Sequence, residues 1–311
     1  MNVPVFVLTG GDPIKRTDLF ELIQYGTGIG VRVSLTPSAT PLLTREIVHR
    51  LKQCRLARLA VSLDGPNREV HDPFRGMAGS FERTMEAIEW ANEFGLPVQI
   101  NTSFSRANYG DFDAIAALMQ QKQITLWSVF FLVPTGRGKL DRLLTDDEFE
   151  DIFAKLYSLS KCARFHIKTT EAQHYRRYVL QQQVLEKQTN PTPEIRPSFR
   201  IADSIGRAPR GLNDGKGFVF ISHVGEVYPS GFLAISGGNV GNSGLAIFIG
   251  IRPFSNNSEV RTNWAVSVGL ASSATSVEGH EHVPSPCTEI RLLRSLAVRM
   301  YLNSTGLRTL P

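Results

Sequence analysis

Cysteine is scarce in this 311-residue chain: only Cys54, Cys162 and Cys287 occur. None has a second cysteine at metal-ligand spacing, so the chain alone encodes no iron–sulfur or zinc site. Cys54 and Cys162 fall in predicted helical segments and read as ordinary core or surface thiols. Long apolar runs are missing too. No stretch of about 18 apolar residues exists to form a membrane-spanning helix. The N-terminus lacks the series of basic region, apolar stretch and cleavage site that marks a signal peptide, and a cytosolic protein is expected. The net charge is +5 and the pI about 9.2, which fits weak attraction to anions. No block of Lys and Arg with interleaved aromatics accompanies that charge, so nucleic acid is not an expected partner. Hydrophobic residues make up 42% of the chain, enough for an ample core.

What is present is an alternation. Five β-prone runs (Pro4–Leu8, Val31–Leu35, Leu59–Leu63, Val98–Thr102 and Leu126–Val133) are separated by stretches of helical period. Those stretches are Thr17–Tyr25, Thr44–Gln53, Ser80–Phe94 and Asp111–Gln121. Short apolar strands alternating with helices imply βαβ units and a parallel sheet, open or closed into a barrel. Thr145–Gln188 reads as mostly helical and starts with a capping box, Thr145-Asp146-Asp147-Glu148. Thr189–Gly215 reads as irregular loop. Gly217–Ser222 and Glu226–Pro229 around His223-Val224-Gly225 predict a β-hairpin.

In either parallel architecture the chemistry sits at the C-terminal strand ends. Here those ends are polar: Gly10-Gly11-Asp12-Pro13, Ser34 to Ser38, Ser62 to Gly65, Asn101-Thr102-Ser103, and Pro134 to Gly138. Turn chemistry alone accounts for any one of them. Five on one rim point to a ligand site. Two glycines allow a ligand close to the backbone, and the Asp12 carboxylate suits a ligand ammonium. Arg137 and Lys139 read as a solvated loop with an anionic substrate as the alternative. His71-Asp72 reads as a loop held by an Asp side-chain turn, with an acid/base pair as the alternative.

Taken in order, Leu8–Pro13, Leu59–Gly65, His71-Asp72, Arg75-Gly76, Gly79-Ser80-Phe81 and Val98–Thr102 resemble the radical S-adenosylmethionine (SAM) superfamily. Gly206–Gly211 and Gly225–Gly231 extend the likeness to members with a SPASM-type C-terminus, over residues 1–240. The resemblance implies an α/β fold: a partial (β/α)6 barrel lacking its first βα unit, with an incomplete SPASM-like segment after it. It implies that Gly10, Gly11, Asp12 and Pro13 meet the methionyl ammonium of SAM. Ser62 and Asp64 would reach the ribose, and Asn101, Leu132, Val133 and Pro134 the ribose and adenine. The family's cofactors are SAM and iron–sulfur clusters. A cluster reduces the sulfonium, and the 5′-deoxyadenosyl radical released abstracts hydrogen from substrate. A porphyrin-like or peptide substrate and an electron donor are the implied partners.

The departures shape the expectation. The family carries Cys-x3-Cys-x2-Cys after its first strand, and this chain opens on the likeness of the second. No cluster ligand and no catalytic residue is therefore assigned here. The missing unit predicts an unpaired strand edge. Beyond residue 241 the pattern fades. A reading frame shifted by one base can, with suitable synonymous codons, read Ala265 to Gly279 as GKCGPCEFRDVCGG, with cysteines also where Ala297 and Val298 stand. A frameshift near 241–245 is expected on that ground. The expected divisions are a partial barrel over 1–140, a helical linker region over 141–205, the start of a SPASM-like domain over 206–240, and out-of-frame, unstructured sequence over 241–311. The leading function is radical SAM chemistry in lineage, inactive as written. The alternatives are a non-catalytic remnant with at most weak SAM binding, and an ordinary aldolase-type barrel. The last would need a lysine on a strand, and none of the five predicted strands has one.

Overall fold

A computed structural model describes residues 5–133, 142–172, 174–189, 213–214, 217–233, 235–242 and 265–269. In chain order the elements begin β1 (Val5–Thr9), α1 (Leu19–Gly28), β2 (Val33–Leu35), α2 (Arg45–Gln53) and β3 (Arg58–Ser62). Next come α3 (Arg68–Arg75), α4 (Ser80–Glu93), β4 (Val98–Phe104), α5 (Phe112–Gln121) and β5 (Leu126–Phe131). The remainder are α6 (Asp146–Ser160), β6 (His166–Thr170), α7 (His174–Thr189), β7 (Asn213–Asp214), β8 (Gly217–Ile221), β9 (Val227–Tyr228) and β10 (Ala265–Gly269). The α/β alternation read from the sequence holds over its five strands. Two compact units divide the chain, the first being Met1–Ser38, Leu42–Leu59 and Arg210–Pro311, the second Ala39–Pro41 and Ala60–Pro209.

In the first unit, β1 pairs parallel with β2 through Phe6↔Val33 and Leu8↔Leu35, and β2 pairs parallel with the start of β3. Phe6 and Leu8 are buried, as are Leu22, Ile23, Val48 and Leu51 on α1 and α2. The Thr44 hydroxyl caps α2 by accepting from Ile47 N at 3.3 Å, and Arg50 and Lys52 sit favourably at its C-terminal, negative end. β8 and β9 form the predicted antiparallel hairpin. The expected unpaired edge is not found. β10 lies parallel against β1 from Val5↔Ala265 to Thr9↔Gly269, and against β8 on its other side. A row of bare backbone N–H and C=O groups is costly to leave unmatched, and a β-prone Ala-Val-Ser-Val run completes it. The rest of 243–311 lies outside the described residues, as does Gly206–Gly211.

In the second unit, β4 pairs parallel with β5 and β5 with β6. Trp127, Phe104 and Phe112 pack together at ring separations of 5.3–6.3 Å, with Phe131 against Phe149 and Phe153 beyond them. The indole Nε1 of buried Trp127 donates to Thr102 Oγ1 (2.8 Å), which donates to the Leu63 carbonyl (2.7 Å). That relay satisfies every polar atom it buries. α6 starts on the expected capping box: Glu148 N donates to Thr145 Oγ1, and Thr145 N donates to Glu148 Oε2. Two elements depart from the sequence reading. α3 forms where Gly65-Pro66 and Asp72-Pro73 signal turns, because Asn67 caps it through Val70 N and its backbone tolerates one interior proline before Gly76 ends it at φ 69°. β6 forms inside the stretch read as helix, because His166–Thr170 gains a ladder to β5 that five residues of helix would not match. This sixth strand carries a lysine, Lys168, which the five predicted strands lack.

Candidate functional site

In the first unit, β1 runs into Gly10 and Gly11 at φ 86° and 39°, conformations that disfavour any residue with a Cβ. Asp12 follows, 6% exposed, its carboxylate accepting from Ile14 N at 3.3 Å to start a short 3-10 turn at Pro13. Ser38, beyond β2, donates its hydroxyl to the Gly11 carbonyl at 3.4 Å. The glycine pair is thus held from two sides and exposes backbone rather than side chain. In mid-strand on β2, Ser34 is 3% exposed and its Oγ has no hydrogen-bond partner.

In the second unit, a dense network holds the end of β3. Asp64 is 1% exposed, and its carboxylate accepts from Ser103 N (2.7 Å) and Arg75 Nη1 (3.3 Å). Its own N–H donates to His71 Nδ1 (3.0 Å), and its carbonyl accepts from Asn108 Nδ2 (2.9 Å). Burial pushes the Asp64 carboxyl up to about 6, against the opposing pull of Arg75 and the Ser103 N–H. Burial likewise pushes the His71 imidazole down to about 4, with Arg75 adding to the shift. His71 is therefore neutral near pH 7, with its proton on Nε2. Asp72 is not its acid/base partner: the Asp72 carboxylate accepts from Gly79 N, Ser80 Oγ and Phe81 N. Those bonds outweigh the burial that would raise it and leave the Asp72 carboxyl below its usual range. The loop reading of this dipeptide is corrected, since both residues lie within α3, and the Asp72 carboxylate instead holds the start of α4. Gly65 permits the close packing, since a Cβ there would lie 2.6 Å from His71 N.

The sequence-predicted residues of this unit divide by surroundings. Ser62 is half-buried at the end of β3, its carbonyl accepting from Thr84 Oγ1 at 3.4 Å. Asn101 is half-buried on β4, its Oδ1 accepting from Gln99 Nε2 at 2.7 Å and its carbonyl accepting from Leu63 N. Leu132 and Val133 follow β5 half-buried, Leu132 N donating to the Phe104 carbonyl. Pro134, Arg137 and Lys139 lie outside the described residues.

Register adds residues that the sequence did not single out. Three rows cross β4, β5 and β6 on one face: Gln99–Leu126–His166, Asn101–Ser128–Lys168 and Ser103–Phe130–Thr170. His166 and Lys168 were hidden by the helical reading of their segment. An alternating polar pattern, His-Ile-Lys-Thr-Thr, was the available signal.

No group of three His, Cys, Asp or Glu side chains able to hold a metal occurs among the described residues. Cys54 is buried at the end of α2, its thiol pushed up by burial, and Cys162 is exposed after α6. Cys287 lies outside the described residues. An iron–sulfur cluster needs converging thiolates, and the described residues do not fit one. Nor is any described helix long and apolar enough to cross a membrane.

Comparison with known proteins agrees with this geometry. Residues 1–119 match the radical SAM superfamily model. The chain is 38% identical over 239 residues to the AdoMet-dependent heme synthase of Oleidesulfovibrio alaskensis, covering 76% of this chain and 59% of that one. It is 39% identical over 237 residues to the AdoMet-dependent heme synthase of Methanosarcina barkeri, covering 76% and 65%. It thus spans roughly three fifths of the length of the curated relatives it matches. Among solved structures, Streptococcus suis SuiB shares the fold at TM-score 0.55 and 16% identity, covering 77% of this chain and 53% of that one. Native anSMEcpe with bound AdoMet does so at TM-score 0.54 and 14% identity, covering 83% and 66%. The polar ends of parallel strands, the glycine pair after β1 and these likenesses lead to one conclusion: the chain carries a radical SAM superfamily domain.

Proposed function

We propose that this chain binds SAM and descends from enzymes that act on a tetrapyrrole. The single observation that carries the SAM reading is the Gly10-Gly11-Asp12-Pro13 loop at the end of β1, its two glycines at positive φ, within a radical SAM domain. In the first unit, the Gly10 and Gly11 backbone and the Asp12 side chain would take the methionyl ammonium. The Asp64 carboxylate is engaged by Ser103 and Arg75, so its part is to hold the β3 and β4 ends in place. The tetrapyrrole reading is supported by relatives named AdoMet-dependent heme synthase and, at 36% identity over 135 residues, Fe-coproporphyrin III synthase of Methanosarcina barkeri.

Reductive cleavage of SAM needs a cluster, and the described residues bring no thiolates together to hold one. Non-catalytic SAM binding is accordingly the second reading, favoured by the scattered cysteines. The strand lysine that an aldolase would require exists in Lys168, but the radical SAM match of residues 1–119 argues against that chemistry. A frame change near 241–245 is proposed alongside. Codons incompatible with cysteine in the shifted frame at Val268 and Ala271 would sink it.

Calorimetric titration of the full chain with SAM tests the main reading. Saturable binding is expected, abolished in Gly10→Val because a Cβ-branched residue is strained at φ 86°. Equal binding by a folded Gly10→Val protein would refute the loop assignment. Anaerobic cluster reconstitution separates the two readings. A cluster absorption band with 5′-deoxyadenosine release would overturn the non-catalytic one.

A further inference from the structure

The first and the last described strands of the chain lie side by side. β1 and β10 run parallel in register from Val5↔Ala265 to Thr9↔Gly269. The two neighbours of β1 differ in how far they follow it. β2 matches Phe6, Val7 and Leu8, and Thr36 N just beyond it donates to the Leu8 carbonyl (2.9 Å). β10 continues one residue further, to Thr9, which directly precedes Gly10. Among the described strands, β10 alone flanks the residue from which the glycine loop departs.

β10 is itself anchored. Its other edge pairs with β8 from Ala265↔Phe218 to Val268↔Ile221, and Val219 and Ile221 of β8 are each 2% exposed. In the sheet order β2-β1-β10-β8, it is the described strand that joins β1 to the hairpin. Consecutive glycines have the widest conformational freedom of any residue pair, so their position is set by what fixes the residues around them. Ser38 holds the Gly11 carbonyl, and the Asp12 turn fixes the far side. On the near side the fixed point is Thr9. A strand end without a partner frays, and a loop hanging from a frayed end must be ordered when ligand binds.

We infer that β10 is a positioning element for SAM: Ala265–Gly269 hold the end of β1 and so keep the Gly10-Gly11 loop in its binding geometry. The inference rests on the SAM reading of that loop and adds a dependence on residues distant in sequence. β10 touches no ligand in this account and acts through Thr9. A segment expected from the sequence to be unstructured thereby contributes to the site.

The test uses the full chain with Ser267 and Val268 replaced singly. Proline removes the ladder N–H, and adjacent residues of a strand direct their N–H groups to opposite neighbours. One of Ser267→Pro and Val268→Pro thus breaks the ladder to β1 and the other the ladder to β8. Ser267→Thr and Val268→Ile keep the N–H and the β propensity. SAM affinity is read by calorimetry, and amide exchange of Thr9–Ile14 without ligand reads the loop itself. At least one proline variant should bind SAM about ten-fold more weakly and exchange faster over Thr9–Ile14. Exchange in β4 and β5 of the second unit should match wild type. The threonine and isoleucine variants should keep wild-type affinity. Val268→Gly, which weakens the strand without removing a bond, serves if both proline proteins lose protection throughout, and should also bind SAM more weakly. Affinities of both proline variants within about two-fold of wild type would overturn the inference, as would an unchanged Val268→Gly where that variant is needed. So would an equal loss in the threonine and isoleucine variants. If Gly10→Val still abolishes binding in those cases, the SAM reading stands without β10. Wild type that binds no SAM refutes the proposed function and this inference with it.

Discussion

The two faces of the β4–β5–β6 sheet share a backbone and differ in nearly everything else. On one, Ile100, Trp127, Val129 and Phe131 are 0–3% exposed, with Trp127 and Phe131 packed against aromatic rings of α5 and α6. On the other, the same strands present Gln99, Asn101, Ser128, His166 and Lys168. Because side chains alternate along a strand, one chain segment serves both purposes without compromise. The covered face carries the stability and leaves the other free to be chosen for binding.

Substitutions should separate the two faces. The largest effect is expected on the covered one. Trp127→Ala opens a cavity and strips Thr102 of its donor, and should cost about 3–5 kcal/mol in a denaturant titration. A loss below about 1 kcal/mol would mean that the face is not the core.

Next comes Asp64, at the junction of strand end and helix. Asp64→Ala leaves the Ser103 N–H and Arg75 without their acceptor and should cost about 2 kcal/mol. Its pH dependence has a definite sign. The Asp64 pKa is raised from 3.8 to about 6, so its contribution is fully present below pH 3.8 and is lost as pH rises through 6. The His71 pKa is lowered from 6.5 to about 4, so its contribution is present above 6.5 and is lost as pH falls through 4. The two oppose each other between pH 4 and 6. Asp64→Asn removes one side, so its stability should fall more steeply with acid than that of wild type. Parallel melting curves for the two proteins across this range would contradict the network. The smallest effect is expected on the polar face. Lys168→Met should change stability by no more than about 0.5 kcal/mol, which a thermal melt would check.

Much of this was legible from residue order, and the gaps have physical causes. The first five strands declared themselves because each is an apolar run bounded by Gly, Pro or polar turns. The Thr145–Glu148 cap was read correctly because its bonds are local. α3 was missed because Pro66 and Pro73 signal turns and outweighed the local Asn67 cap, while the Asp64–His71 bond forms only once the helix does. β6 was missed because its five residues gain their ladder from β5, forty positions away in sequence and invisible to period alone. That miss concealed Lys168 and His166. β10 was unforeseen because its partner edge on β1 was expected to stay bare. The glycine pair was the reverse case: positive φ is a property of the residue type, and Gly10 and Gly11 adopt it.

Amide hydrogen exchange of the full chain with and without SAM tests the site assignment most directly. Slowed exchange is expected in the peptide spanning Thr9–Ile14. Saturating SAM that leaves Thr9–Ile14 unprotected, or protects only other segments, would contradict it.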